Sequence, residues 1–209
     1  MKLATTKLLK KLSEYHFFNW EDDEQNEFNL IIGMPDNKLK KKDFYSSFGF
    51  ESVENPHSEI YINAREWVEL EDQFFMWVAP YLTNFKNTIV TPFLNADWEG
   101  EIDLEDIDAQ DQELSIAYKD YKKFLISKGL YSMEPTLLET CRGYEIENIN
   151  EYSIIGKMAA RSNQYLFFSD NNKVFMFTDA LTLKIYYKDK DVMEKEKDLI
   201  NKILNPKFL

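Results

Sequence analysis

Residues 164–188 constrain the fold more than any other part of the chain. QYLFFS and KVFMFT are aromatic-rich runs on either side of Asp170-Asn171-Asn172, and LKIYYKD follows closely. Phe, Tyr and Val suit a pleated, half-buried surface, and Asp and Asn tolerate the backbone of a tight hairpin turn. The segment predicts an antiparallel meander of strands at 164–169, 173–178 and 183–188. Combined with helical stretches, a meander indicates an α+β fold, an antiparallel sheet packed against helices, rather than a doubly wound sheet.

The helical stretches are legible by their period. In 65–85, Trp67, Leu70, Phe74, Trp77, Val78 and Tyr81 share one face, while Glu66, Glu69 and Asp72 face out. Pro80 is expected to kink that helix or end it. In 113–129, Leu114, Ala117, Tyr121, Phe124, Leu125 and Lys128 fit a helix closed by Gly129. Residues 191–204 form an amphipathic helix with Val192, Leu199 and Ile203 inward. Shorter helices are expected from Thr5 or Thr6 through Tyr15 (with Leu8, Leu9 and Leu12 on one face), at 38–50, at 134–141 and around 151–161. Further strands are expected at 28–33, 59–63 and 143–149. Residues 87–94 read as an edge strand, because Pro92 cannot donate to a central ladder.

Charge is concentrated in one place. Between Asp97 and Glu113 stand nine carboxylates and no basic residue, in a chain of net charge −12. Such a run repels itself and requires solvent, a cation or a basic partner. Asp97, Glu99, Glu101, Asp103, Glu105, Asp106 and Asp108 are the candidate partner-binding residues. The composition also shifts here, which suggests an N-terminal region at 1–95, an acidic loop or linker at 96–112 and a second α+β region at 113–209, or one continuous domain. The main basic cluster, Lys38 to Lys42, reads as a solvated helix face or an internal counter-charge to the run.

A pI near 4.7 argues against direct nucleic-acid binding and against docking on anionic membranes. No apolar run reaches the length of a membrane span, and Lys7, Lys10 and Lys11 interrupt any signal-peptide core. With Cys141 as the single cysteine, no internal disulfide forms, and a reducing cytoplasmic setting is expected.

Catalytic patterns are scarce. Cys141 with His16 or His57 is the only thiol–imidazole combination, and a lone cysteine more often packs as a small hydrophobe. Phosphate-loop, dinucleotide and serine-hydrolase motifs are absent from the sequence. With Gly100 as the sixth position, Asn95, Asp97, Glu99, Glu101, Asp103 and Asp106 approximate a calcium loop. Its leading Asn, its terminal Asp in place of Glu and a preceding proline favour a bare acidic loop. No catalytic residue, metal ligand or cofactor is assigned.

ELSIAYKDYKKFLISKG, at 113–129, resembles the helix that opens many SMI1/KNR4-like (SUKH superfamily) domains, through Tyr121, Lys122, Phe124, Leu125 and Gly129. The downstream order, GYEIENI, a helical turn and then QYLFFSDNNKVFMF, is similar to that family as well. The resemblance covers the C-terminal half. It implies an α+β domain and a bacterial immunity protein that neutralises a toxin by binding it, without catalysis. The expected partner is a basic protein such as a toxin domain. A phage or mobile-element protein that imitates nucleic acid, or an enzyme with a carboxylate site, is the alternative.

Overall fold

The computed structural model describes residues 10, 13–19, 25–39, 44–93, 98–99, 111–131, 143–161, 164–170 and 173–209. The expected helix at 134–141, Leu8, Leu9 and Leu12 of the first helix, and Lys40 to Lys42 lie outside these.

The fold is α+β, as the meander requires. The strands are β1 (Asn29–Gly33), β2 (Ile89–Pro92), β3 (Tyr144–Glu145), β4 (Tyr165–Ser169), β5 (Lys173–Thr178), β6 (Thr182–Tyr187) and β7 (Lys207–Phe208). They form one sheet in the order β3-β2-β4-β5-β6-β1-β7, with every named pair antiparallel. β1 and β2 come from before the acidic run, yet they pair with β6 and β4 from after it.

Both faces of the central strands are covered, so YLFFS is buried at all five positions instead of alternating. Phe167, Phe175, Phe177, Leu183 and Ile185 belong to the main core. Phe167 and Phe175 are register partners whose rings stack at 4.9 Å, the kind of cross-strand pair that holds a sheet together. Leu166, Phe168, Val174 and Tyr186 form a second cluster with Tyr15 and Phe18 of the N-terminal segment.

Among the described residues four long helices accompany the sheet: α1 (Ala64–Leu82), α2 (Gln112–Lys128), α3 (Ile149–Ala159) and α4 (Lys190–Leu204). Each starts at an Asn or Asp (Asn63, Asp111, Asn148, Asp189) whose side chain accepts a first-turn backbone N–H. Gly129 closes α2 with φ of 69°, a left-handed conformation that glycine adopts without penalty. No helix among the described residues is long and apolar enough to cross a membrane.

Several expectations are corrected. β2 is an interior strand, flanked by β3 and β4. Among the described residues β3 pairs only with Ile89 and Val90, and Pro92 stands beyond that pairing, where its missing N–H costs no described ladder bond to β3. Residues 59–63 make a single bridge, Val53 with Ile62, rather than a strand. GYEIENI supplies a two-residue strand, and its remainder leads into α3. The 38–50 segment is broken: a 3-10 turn at Asp36–Lys38, one helical turn at Phe44–Ser47 and a second 3-10 turn from Phe50. Pro80 sits in the last turn of α1, which ends two residues later at Leu82; it removes the one ladder bond that an N–H there would give to the Met76 carbonyl, with little helix beyond it to disturb. Leu199 is exposed, and the inner face of α4 is carried by Glu196, Ile200 and Leu204.

Candidate functional site

α1, α2 and α3 pack on one another, and α3 also lies against β4 and β5. Gly156 allows the close approach of α3 to α1, since a Cβ there would stand 2.4 Å from the Phe75 ring. α2 and α3 are antiparallel. The start of α2 meets Arg161, just past α3, and the end of α2 meets Glu147 and Glu151 at the start of α3.

A buried ion pair joins these elements. Glu71 of α1 and Arg161 both have fully buried side chains. Arg161 Nε and Nη2 each donate to one Glu71 carboxylate oxygen at 2.8 Å, a bidentate fork. Arg161 Nη1 donates to the Leu114 carbonyl of α2 at 2.8 Å, and the guanidinium stacks 4.8 Å from the Tyr118 ring centroid. Trp67 Nε1 donates to Glu71 at 3.2 Å. Burial alone would lower the Arg161 pKa, but the Glu71 charge overrides it and holds the guanidinium more firmly protonated.

Outside this pair the helices leave an open trough. One depression of about 380 Å³ lies among all three helices. A second, of about 340 Å³, lies between α1 and α3. Asp72, Asn150 and Ser153 line both, so the two adjoin. Apolar side chains stand exposed on its walls, Met76 of α1 at 69% and Ile116 of α2 at 59%. Its polar edge holds Asp72, Glu113 and Asp120, with Lys157 bound to Asp72 at 2.5 Å.

The acidic run enters beside α2. Trp98 is buried and stacks on Tyr165 at 5.9 Å. Its carbonyl accepts hydrogen bonds from Tyr121 of α2 and, at 2.9 Å, from Tyr165 of β4. At the far end Asp111 caps α2 by accepting from the Glu113 N–H at 2.8 Å. Both ends of the segment are thus tied to the folded body. Among the candidate partner-binding residues, Glu99 lies within the described residues, whereas Asp97, Glu101, Asp103, Glu105, Asp106 and Asp108 lie outside them. So do Asn95, Gly100 and Cys141, and with them most of the calcium-loop pattern and the thiol of the Cys–His reading. His16 and His57 are both exposed. Among the described residues no group of three His, Cys, Asp or Glu side chains is placed to hold a metal.

Sequence reasoning missed Glu71, Arg161 and the trough. The apolar residues Met76 and Ile116, each standing on the polar side of its helix, were the available signal. The chain matches no known protein family, no curated protein and no solved structure.

The Trp98 anchor is testable. Trp98→Ala removes a buried indole, and equilibrium urea unfolding should show a loss of about 3–5 kcal/mol. Tyr121→Phe removes one hydroxyl donor to the Trp98 carbonyl and should cost about 1 kcal/mol. Wild-type stability in Trp98→Ala would mean that the run is not moored there.

Proposed function

We propose that this protein is a non-catalytic binding protein of the immunity or inhibitor type, which neutralises a basic protein partner such as a toxin domain by direct contact. The observation that carries the reading is the mooring of the acidic run. Nine carboxylates stand between Asp97 and Glu113. The buried Trp98 ties down one end of that segment and the Asp111 cap ties down the other. Holding the ends reduces the chain entropy lost when the segment meets a partner. Like charge gathered in one place steers a basic surface into encounter and disfavours acidic competitors. The SUKH-like order of elements after residue 113 supports the same reading. The single cysteine suits a reducing, cytoplasmic setting.

The test replaces Asp103, Asp106 and Asp108 together with Asn, which removes three charges at nearly constant shape. The partner is first identified by pull-down from native lysate. At low salt the variant should associate roughly three- to tenfold more slowly, and its rate should depend less on ionic strength. Its folding stability should hold or rise slightly as self-repulsion is relieved. Association at the wild-type rate at both low and high salt would reduce the run to a solubilising loop and remove the physical basis of the inhibitor reading.

A further inference from the structure

We infer that the buried pair of Lys173 and Glu196 locks the rotation of α4 on the fold, and so lays β7 along the edge of β1. Glu196 stands where a carboxylate is least expected. At about 100° per residue, Val192, Leu199 and Ile203 lie to one side of it on the helix, and Met193, Ile200 and Leu204 lie to the other. It is therefore the centre of the apolar arc, and it is only 9% exposed. Leu199, at the rim of the same arc, is 38% exposed.

Two donors on other elements meet that carboxylate. Lys173 Nζ donates to Glu196 Oε1 at 2.5 Å, and the Tyr81 hydroxyl donates to the same oxygen at 2.6 Å. Neither donor can follow the helix. Lys173 is the first residue of β5 and is paired in register with Ser169 and Tyr187. Tyr81 is fully buried on α1. One rotation of α4 brings Glu196 to both. Any other leaves the carboxylate and the Lys173 ammonium buried apart, each without its counter-charge.

Energy alone does not explain a charged pair in this place. The Coulombic gain of a buried pair roughly offsets its desolvation, and apolar side chains of similar volume hold a helix at least as well. What apolar side chains do not do is choose. With an apolar residue at position 196, the arc from Leu199 to Leu204 would be continuous over about 140°. Turning α4 by about 60° would then seat Leu199 where residue 196 had been. A polar residue inside an apolar helical seam fixes one arrangement and excludes such alternatives.

The rotation matters at the end of the helix. Trp77 Nε1 of α1 donates to the Leu204 carbonyl at 3.1 Å. β7 follows after Asn205 and Pro206 and pairs with Ile32 and Gly33, and the Leu209 N–H donates to the Ile31 carbonyl at 3.0 Å. β7 thereby covers part of the outer edge of β1, and an uncovered strand edge is a template for pairing with another chain. A turned α4 carries Leu204 away from Trp77 and β7 out of line with β1.

The test replaces the pair in the full chain with Lys173→Met and Glu196→Leu. Urea unfolding should show a midpoint at or above that of wild type. The Trp77 indole N–H resonance should nonetheless split or broaden, and the Leu209 amide should exchange with solvent at least about tenfold faster. Adding Leu199→Gln removes the competing apolar contact and should restore one Trp77 resonance and the slow exchange. In the wild-type background Leu199→Gln should change neither readout, since the pair already excludes the turned seat.

One sharp Trp77 resonance and wild-type exchange at Leu209 in the double variant would overturn the inference, because α4 would then find its seat without the pair. A double variant that unfolds, or whose midpoint falls well below wild type, would overturn it too, since the pair would then hold α4 by energy. Heterogeneity that persists after Leu199→Gln is added would rule out the turned seat and overturn it as well.

Discussion

Alkaline titration should unfold this protein cooperatively near about pH 11, and buried tyrosines are the cause. Tyr81, Tyr118, Tyr152 and Tyr187 are each at most 5% exposed. Burial is the leading reason that the pKa of each is raised, with Tyr152 pushed up to about 12. Near Tyr81 and Tyr187 the carboxylate of Glu196 adds to the shift. A phenol whose pKa is higher folded than unfolded contributes its full stabilising effect below the unfolded value of about 10. That contribution is lost as pH rises toward the folded value. The loss is about 1.4 kcal/mol per pH unit for each group. Tyr81, Tyr152 and Tyr187 together lose about 4 kcal/mol per unit and Tyr118 adds to that, a large share of the stability of an ordinary domain.

Phenolate absorbance should therefore appear together with the loss of circular dichroism, rather than one residue at a time. Tyr152→Phe provides the control. It removes the hydrogen bond to Thr88, 2.6 Å long, and should cost about 1 kcal/mol at neutral pH. Above pH 10 its stability should fall less steeply, by about 1.4 kcal/mol per pH unit. Stepwise ionisation in a chain that keeps native dichroism to pH 12 would contradict the assignment.

The tyrosines also mark what was readable in the sequence. Residues whose burial follows from period and type were legible. The aromatic runs of β4 and β5, the face of α1 through Trp67 and Phe74, and Gly129 after α2 all follow from local rules. Elements whose form depends on distant partners were not. Nothing in IVTP reveals that β3 will add two residues of pairing and turn an apparent edge into an interior strand. β7 consists of Lys207 and Phe208, and it exists because β1 offers an open edge to the chain leaving α4. Leu199 reads as inward by its type, but Glu196 takes the buried position because Lys173 and Tyr81 reach it at 2.5 and 2.6 Å. The trough was illegible for the same reason, since its walls come from helices separated by the whole acidic run. Glu71 looked like one more solvated acid among 37 until Arg161, ninety residues later, was placed against it.

That pair should respond to a single substitution as strongly as any site in the fold. Glu71→Gln keeps the shape of the side chain but leaves a buried guanidinium without its counter-charge, with only Leu114 O, a weaker amide acceptor and the Tyr118 face around it. Removing one partner of a buried pair costs about 3–5 kcal/mol, because the remaining charge is desolvated without compensation. Arg161→Met strands Glu71 in turn, relieved in part by Lys157 Nζ at 3.7 Å and Trp67 Nε1 at 3.2 Å, so its cost should fall at the lower end of that range. The double variant Glu71→Met and Arg161→Met removes both charges and refills the volume. It should cost far less than the sum of the two single changes, since the Coulombic gain of a buried pair barely exceeds its desolvation. Urea unfolding of all four proteins closes the cycle. Additive losses would mean that the two side chains do not act as a pair. A single variant within about 0.5 kcal/mol of wild type would mean that water reaches this end of the helices. If the pair behaves as its geometry requires, it fixes α1, α2 and the end of α3 in one arrangement. The depression among the three helices is then bounded by walls whose separation is set from inside the core.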